Sequence, residues 1–309
     1  MPRPRDADAL SEDASRTTEP PSVGPADLPG DILAAAEFVG GVVVAAEGIT
    51  TLRSRGGRHL CFKLRFADGR TVKGRSFRSL DRRETVSALA PRLRGLPFSR
   101  LLADHGSATI EEWIDGTPVR ADSMSPDGVG DLARVLVTLH RREASDEAAQ
   151  AGPFSRRLQK QLGLLVDESH LGSQVAAALH ERALENKAGG LEAGIIHTDY
   201  HPRNMIATRG GEVWIVDNEG IRHGALDFDL ARCWQQWPMT PMQREAFCQA
   251  YAERRSLKSF LAHQVFWSIV TRVHSARIHL RRRQPVEELL AALERTARGD
   301  DAGLWAERT

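Results

Sequence analysis

The segment IIHTDYHPRNMI, Ile195 to Ile206, constrains this chain more than any other stretch. An apolar run of strand character leads into it, and a second apolar run, VWIV, follows shortly and ends on Asp217. Asp199 sits on a loop leaving a buried strand, where its carboxylate can meet an incoming hydroxyl. Asn204 lies five residues further on, far enough for the loop to turn back. Asp217 closes the strand Val213–Val216. Together they give a His-x-Asp-x-x-x-x-Asn array followed by a second carboxylate, the layout of a phosphoryl-transfer site.

The chemistry follows residue by residue. Asp199 would orient a hydroxyl and accept its proton as the bond to phosphorus forms. The amide oxygen of Asn204 and the carboxylate of Asp217 are hard oxygen ligands suited to Mg²⁺ on a nucleotide. Glu219 would assist through a water or a second metal, and His197 would pack and hydrogen-bond within the loop. Each residue also has a plainer reading, as a cap, a turn former or the end of a hairpin. A metal-hydrolase reading of His197, Asp199, His201 and His223 around zinc or iron competes as well. It leaves Asn204 and Asp217 without a role, so the joint spacing favours phosphoryl transfer.

The first half of the chain should supply the nucleotide site. Alternation of Leu60, Phe62, Leu64 and Phe66 against Cys61, Lys63 and Arg65 reads as a strand, and Asp68-Gly69 as a tight turn returning into RTVKGRSF. Lys73 on that returning strand is the candidate for the α- and β-phosphates, with Lys63 as the alternative. A helix from about Asp81 to Leu93 follows, with Val86, Leu89, Ala90 and Leu93 on one face. Glu84 on this helix is the expected partner of Lys73; its competing role is a capping box with Asp81. There is no Gly-x-Gly-x-x-Gly and no Walker sequence. Backbone amides near Gly48 and the hydroxyls of Thr50 and Thr51 are the nearest phosphate-loop candidates. Adenine, or guanine if GTP is the donor, would be read by backbone groups around Glu111, Glu112 and Ile114.

Composition sets further bounds. The 309 residues hold 42 Lys and Arg against 41 Asp and Glu, so bulk charge points to neither a nucleic-acid binder nor a polybasic membrane protein. Cys61, Cys233 and Cys248 form no Cys-x-x-Cys pair, which fits a reduced cytoplasm. No apolar run is long enough to span a bilayer. Residues 1–30 are rich in Pro, Ser, Asp, Glu and Ala and read as a disordered tail. Residues 31–115 read as a β-rich nucleotide-binding lobe, and residues 116–309, where helical patterns dominate, as a larger catalytic and acceptor-binding lobe.

These residues resemble the aminoglycoside phosphotransferase and choline kinase family, over about Val42 to Trp234 and most closely in IIHTDYHPRNMI, IVDNEG and GALDFDLARC. The resemblance implies an α+β, two-lobed, protein-kinase-like fold with a small antiparallel sheet in the first lobe. It implies Asp199 as catalytic base, Asn204 and Asp217 as metal ligands, Lys73 as phosphate lysine and Glu84 as its partner. Asp229 would tie the segment after the metal site to the catalytic loop, with Leu139-His140 packed beneath. Arg203 stands where the family has Gly, and Asn218 where an aromatic residue is common. The expected activity is ATP- and Mg²⁺-dependent phosphorylation of a small-molecule hydroxyl; a nucleotide-binding pseudokinase is the alternative. Arginines crowd residues 254–283 without a single Asp or Glu. If that segment lines the cleft, a neutral or anionic acceptor fits better than a polycation; otherwise it is an ordinary solvated basic face.

Overall fold

The computed structural model describes residues 22–49, 60–142, 152–187 and 189–300. Thr50, Thr51 and residues 1–21 lie outside them. The first lobe is built on an antiparallel sheet in the order β1-β2-β3-β4-β6-β5. Its strands are β1 (Ser22–Val23), β2 (Val43–Gly48), β3 (Cys61–Phe66), β4 (Thr71–Ser76), β5 (Leu101–His105) and β6 (Ala108–Glu112). Helix α1 (Gly30–Phe38) lies on one face, and α2 (Leu80–Leu89) follows β4.

Alternation decides what each face of this sheet holds. Phe62, Leu64 and Phe66 of β3, Val72 of β4 and Ile110 of β6 are buried with Ile32, Ala35 and Ala36 of α1. Full burial of a side chain such as Ile32 contributes about 1.5–3 kcal/mol. The intervening residues face the other way. The register sets Lys73 opposite both Lys63 and Glu111, and Arg75 opposite Cys61 and Thr109. The β3–β4 turn is the expected one: Gly69 has φ +85° and its N–H donates to Phe66 O.

Three sequence expectations change. Residues 22–30 fall within the expected disordered tail, yet Ser22 and Val23 pair with Glu47 and Ala46, and Leu28 is buried. The lobe that reads as β-rich opens on a helix, Gly30–Phe38, because its alanines favour that state and Ala35 and Ala36 bury against the sheet. Helix α2 is capped at Ser79 without a side-chain bond, so the Asp81–Glu84 capping box is absent; Thr85 Oγ1 donates to Asp81 O instead.

The second lobe carries α3 (Pro126–His140), α4 (Gly152–Asp167), α5 (Ser173–Glu185), α6 (Leu226–Gln236), α7 (Pro241–Ala252), α8 (Lys258–Ala262), α9 (Gln264–Arg281) and α10 (Glu287–Ala297). Its core includes Leu136, Leu179, Phe228, Phe247 and Trp267. Helix α7 starts on a full capping box between Thr240 and Gln243, with Pro241 at its first position. Short strands thread between the helices: β7 (Thr117–Pro118), β8 (Ala193–Ile196), β9 (Met205–Ala207), β10 (Val213–Ile215) and β11 (Arg222–Ala225). Strand β8 pairs with β11, and β9 with β10, both antiparallel. These two pairs hold the loop from His197 to Asn204 at one end and Asp217 at the other. Among the described residues no helix is long and apolar enough to cross a membrane.

Candidate active site

The loop from His197 to Asn204 is fixed from below by a buried carboxylate. Asp229 on α6 is fully buried and accepts hydrogen bonds from His197 N at 2.7 Å and Thr198 N at 2.6 Å. His140, at the end of α3, sits 3.1 Å from Asp229 and 2.6 Å from the Tyr251 hydroxyl. Burial pushes the Asp229 pKa up, but the His140 bond and the His140 and His197 contacts outweigh it and hold it below the ordinary carboxylate value. Thr198 adopts φ +69°, unusual for a β-branched residue. Its N–H bond to Asp229 and its Oγ1 bond to Gly220 O at 3.2 Å hold it there. Gly220 has no room for a side chain: a Cβ would lie 2.4 Å from His197 O.

Asp199 then projects from a braced loop. Its Oδ2 accepts from Asn204 Nδ2 at 3.0 Å and its Oδ1 from Gln236 Nε2 at 2.9 Å. Arg232 Nη2 lies 3.5 Å away and His201 Nε2 3.4 Å away. The side chain is still 41% exposed, so an incoming group can reach it. Burial raises its pKa, and His201, Arg232 and Gln236 together bring it well below the usual range. The result is a permanently ionised, oriented carboxylate and a weak base.

Asn204 and Asp217 meet through the β9–β10 hairpin. Met205 pairs with Ile215, and Val216 N donates to Asn204 O, which sets the two residues at adjacent ends of the ladder. Asp217 takes a left-handed conformation, φ +68°. Its Oδ1 lies 3.0 Å from Lys73 Nζ and also accepts from Arg75. Burial raises its pKa, but these two cations drive it far below the usual value. The donor set suits Mg²⁺: an amide oxygen on Asn204, whose NH₂ is engaged by Asp199, and an ionised carboxylate on Asp217. Among the described residues no group of three His, Cys, Asp or Glu side chains is placed to hold a metal, which removes geometric support from the hydrolase reading. His197 is buried, tilted against the Phe98 ring and edge-on to Tyr200, and bonds Asn218 Oδ1 at 3.3 Å. Burial lowers its pKa and keeps it neutral. Asn218, where an aromatic residue is common, also donates to Ser99 O and Ser99 Oγ, so it ties the lobes together.

Lys73 reaches the site, but the expected Lys73–Glu84 pair is not what the fold builds. Glu84 is 57% exposed and lies 3.7 Å from Arg83. Lys73 has Asp217 and, at 3.9 Å, Glu111 on the neighbouring strand β6. Lys63 lies over the Trp113 ring instead, 5.0 Å from its centroid. Glu112 makes a two-pronged pair with Arg100 at 2.9 and 3.0 Å, and Ile114 follows the end of β6, half-buried. Arg75, two residues after Lys73, is buried and contacts Asp217, Glu219 and, at 3.6 Å, Glu111. Burial disfavours its charge, but Asp217 and Glu111 more than compensate. The signal for Arg75 and Glu111 was the period of two: both share the cleft-facing side of the sheet with Lys73. Arg232 and Gln236 follow Asp229 at helical spacings of three and seven and present the same face.

Comparison with known proteins gives the family and the fold. Residues 68–260, well over half of the chain, match the model of the phosphotransferase enzyme family, APH. No curated protein sequence matches. Among solved structures, choline kinase LicA from Streptococcus pneumoniae superposes with a TM-score of 0.60 at 13% identity, covering 83% of this chain and 94% of that one. ADP-bound aminoglycoside phosphotransferase APH(2'')-Ib gives 0.57 at 16% identity, covering 82% and 95%. Ethanolamine kinase from Plasmodium vivax gives 0.56 at 12% identity, covering 81% and 80%. The fold is that of the protein-kinase-like phosphotransferases, and on the family match the chain belongs to the phosphotransferase enzyme family.

Proposed function

We propose that this protein transfers the γ-phosphoryl group of ATP, as its Mg²⁺ complex, to a hydroxyl of a small molecule. The observation that carries the reading is the bond between Asn204 and Asp199: one side chain joins the residue for the acceptor to the residue for the metal. Lys73 would meet the α- and β-phosphates. Asn204 and Asp217 would hold Mg²⁺, which neutralises charge on the phosphates when bound. The backbone around Glu111, Glu112 and Ile114 would receive the base. Residues 31–115 would thus serve the nucleotide and residues 116–309 the acceptor.

In this reading Asp199 Oδ orients the hydroxyl. The acceptor oxygen attacks phosphorus as the bond to the β-phosphate oxygen breaks, the hydroxyl proton passes to Asp199, and ADP leaves. A loose transition state needs little help from a base until late, so a carboxylate of low pKa suffices. The related structures named for choline, ethanolamine and aminoglycosides support a small alcohol as acceptor. The three cysteines, all free, suit a reducing compartment such as the cytoplasm.

Mg²⁺-dependent ADP release across a panel of sugars, nucleosides, amino alcohols and antibiotics tests the proposal. Turnover should appear with at least one acceptor and fall by about two to four orders of magnitude in Asp199→Ala, with nucleotide binding retained. Stabilisation by Mg-ATP without ADP release on any acceptor would favour a nucleotide-binding pseudokinase instead.

A further inference from the structure

Beside the catalytic loop, basic side chains converge from four elements: five arginines, and a histidine whose own protonation the cluster disfavours. Arg157 is on α4, Arg222 on β11, Arg232 on α6, and His274, Arg277 and Arg281 on α9. Helices α4 and α9 enclose a cavity of about 270 Å³ lined by Arg157, Lys160, Gln161, His274, Arg277 and Arg281 with two apolar side chains, and no carboxylate lines it. Arg277 is committed to Glu168 at 2.5 Å. Arg157 Nη2 lies 3.5 Å from His274 Nδ1. Arg222 lies over the Phe228 ring at 5.7 Å, and His274 faces the same ring at 6.0 Å.

The cluster adjoins the chemistry. Arg232 Nη1 donates to Ser275 Oγ at 2.7 Å, while its Nη2 lies 3.5 Å from Asp199. One guanidinium therefore spans from the catalytic carboxylate to the helix that carries His274 and Arg281. The crowding of like charge bears on the groups themselves. His274 is pushed down to about 3 by burial and by Arg232, Arg157, Arg222 and Arg281. Burial, with Arg82 and Arg157, pushes Arg222 down to about 10. A cationic acceptor entering here meets repulsion, whereas an oxyanion relieves it.

Resting on the phosphotransferase reading, we propose that the acceptor is an anionic hydroxyl compound. Its phosphate or carboxylate is held by Arg157 and Arg281 between α4 and α9, and its free hydroxyl faces Asp199. Planar guanidinium groups suit both oxyanions through paired N–H bonds.

Two arms test this. Calorimetry with inorganic phosphate, at saturating Mg²⁺ and a non-hydrolysable ATP analogue, reads the anion site without turnover. Binding should weaken by about tenfold or more in Arg157→Ala/Arg281→Ala and recover in part in the double Lys variant, which also controls for folding. Equal binding in wild type and the Ala variant, or none in wild type, overturns the proposal. The second arm is ADP release with glycerol 3-phosphate, glycerate, glycerol and ethanolamine, and with glucose 6-phosphate, gluconate, glucose and glucosamine. An anion should lead each series that turns over, and the Ala variant should raise KM for the anion by a larger factor than for the neutral member. Preference for the phosphate over the carboxylate, or the reverse, identifies which oxyanion is used. A neutral or cationic leader overturns the anionic acceptor while leaving the phosphotransferase in place. No turnover with these or the wider panel counts against the phosphotransferase reading, and the calorimetric arm then decides the anion site alone.

Discussion

Arg75 on β4 and Asp217 after β10 are paired across the cleft, on the same carboxylate oxygen that Lys73 reaches at 3.0 Å. One strand of the first lobe thus delivers two cations, two residues apart, to the carboxylate assigned to the metal. Arg75 also carries Glu219, so it serves as the common counter-charge for several acids.

Replacing Arg75 by Met should therefore be severe. Glu111 and Glu219 would remain largely buried with their main partner gone, which costs about 3–5 kcal/mol. Urea unfolding of wild type and Arg75→Met measures it. A loss under about 1 kcal/mol, in the range of an exposed pair, would mean that the guanidinium is dispensable to the fold.

Asp199 should contribute no acid limb to activity near neutrality. Its carboxyl is held below the ordinary value of 3.8, so the ionised form persists throughout the usual assay range. The pH profile of kcat/KM should stay level down to about pH 5 as far as this group is concerned. A limb near neutrality that survives in His201→Gln would show that Asp199 takes up its proton far more readily.

His274 should make the fold acid-sensitive. Its pKa falls from 6.5 to about 3 on folding, so the unfolded chain binds the proton first. Stability is fully present above the unfolded value, and declines as pH falls from there through about 3. The charges facing it are Arg157 from α4, Arg222 from β11, Arg232 from α6 and Arg281 from its own helix. His274→Phe should flatten this part of the profile in denaturant titrations at successive pH values. An unchanged slope would assign the acid sensitivity to other groups.

Gly220→Ala tests the packing behind the loop. The added methyl meets His197 O at 2.4 Å and Thr198 Oγ1 at 2.5 Å, so the catalytic loop must shift. A loss of about 1–3 kcal/mol is expected, together with a fall in kcat, because the displaced backbone carries Asp199. Normal kcat with normal stability would show that the loop yields at no cost.

The site was legible where the chemistry is local in sequence. Asp199, Asn204 and Asp217 are joined by one hairpin, and their spacing alone proposes it. Lys73 was found from its place on a strand after a tight turn. Its partner was not, because the choice between Glu84 and Glu111 depends on strand order. Strand β6 lies beside β4 only because β5 returns at the sheet's edge, a pairing of high sequence separation. The α1 helix escaped because a short, nearly uniform apolar segment has no useful period. The basic stretch from Arg254 to Arg283 shows helical spacing in the sequence, but which way its charges face depends on tertiary packing. In the fold Arg255 pairs with Glu192 and Asp227, and Arg277 with Glu168, while Arg281 lines the cavity with His274.

The polar chain under the loop does not stop at Asp229. It runs through His140 and Tyr251 to Arg255, whose Nη1 is 3.4 Å from the Tyr251 hydroxyl and whose other nitrogens bond Asp227 and Glu192. This sets a lower limit on miniaturisation. A chain cut after Trp237 keeps Lys73, Asp199, Asn204 and Asp217 but loses the phenol that orients His140 and the guanidinium beyond it. On the proposed function, the smallest active unit is expected to extend to Arg255, nearly forty residues past the last residue proposed for nucleotide or metal.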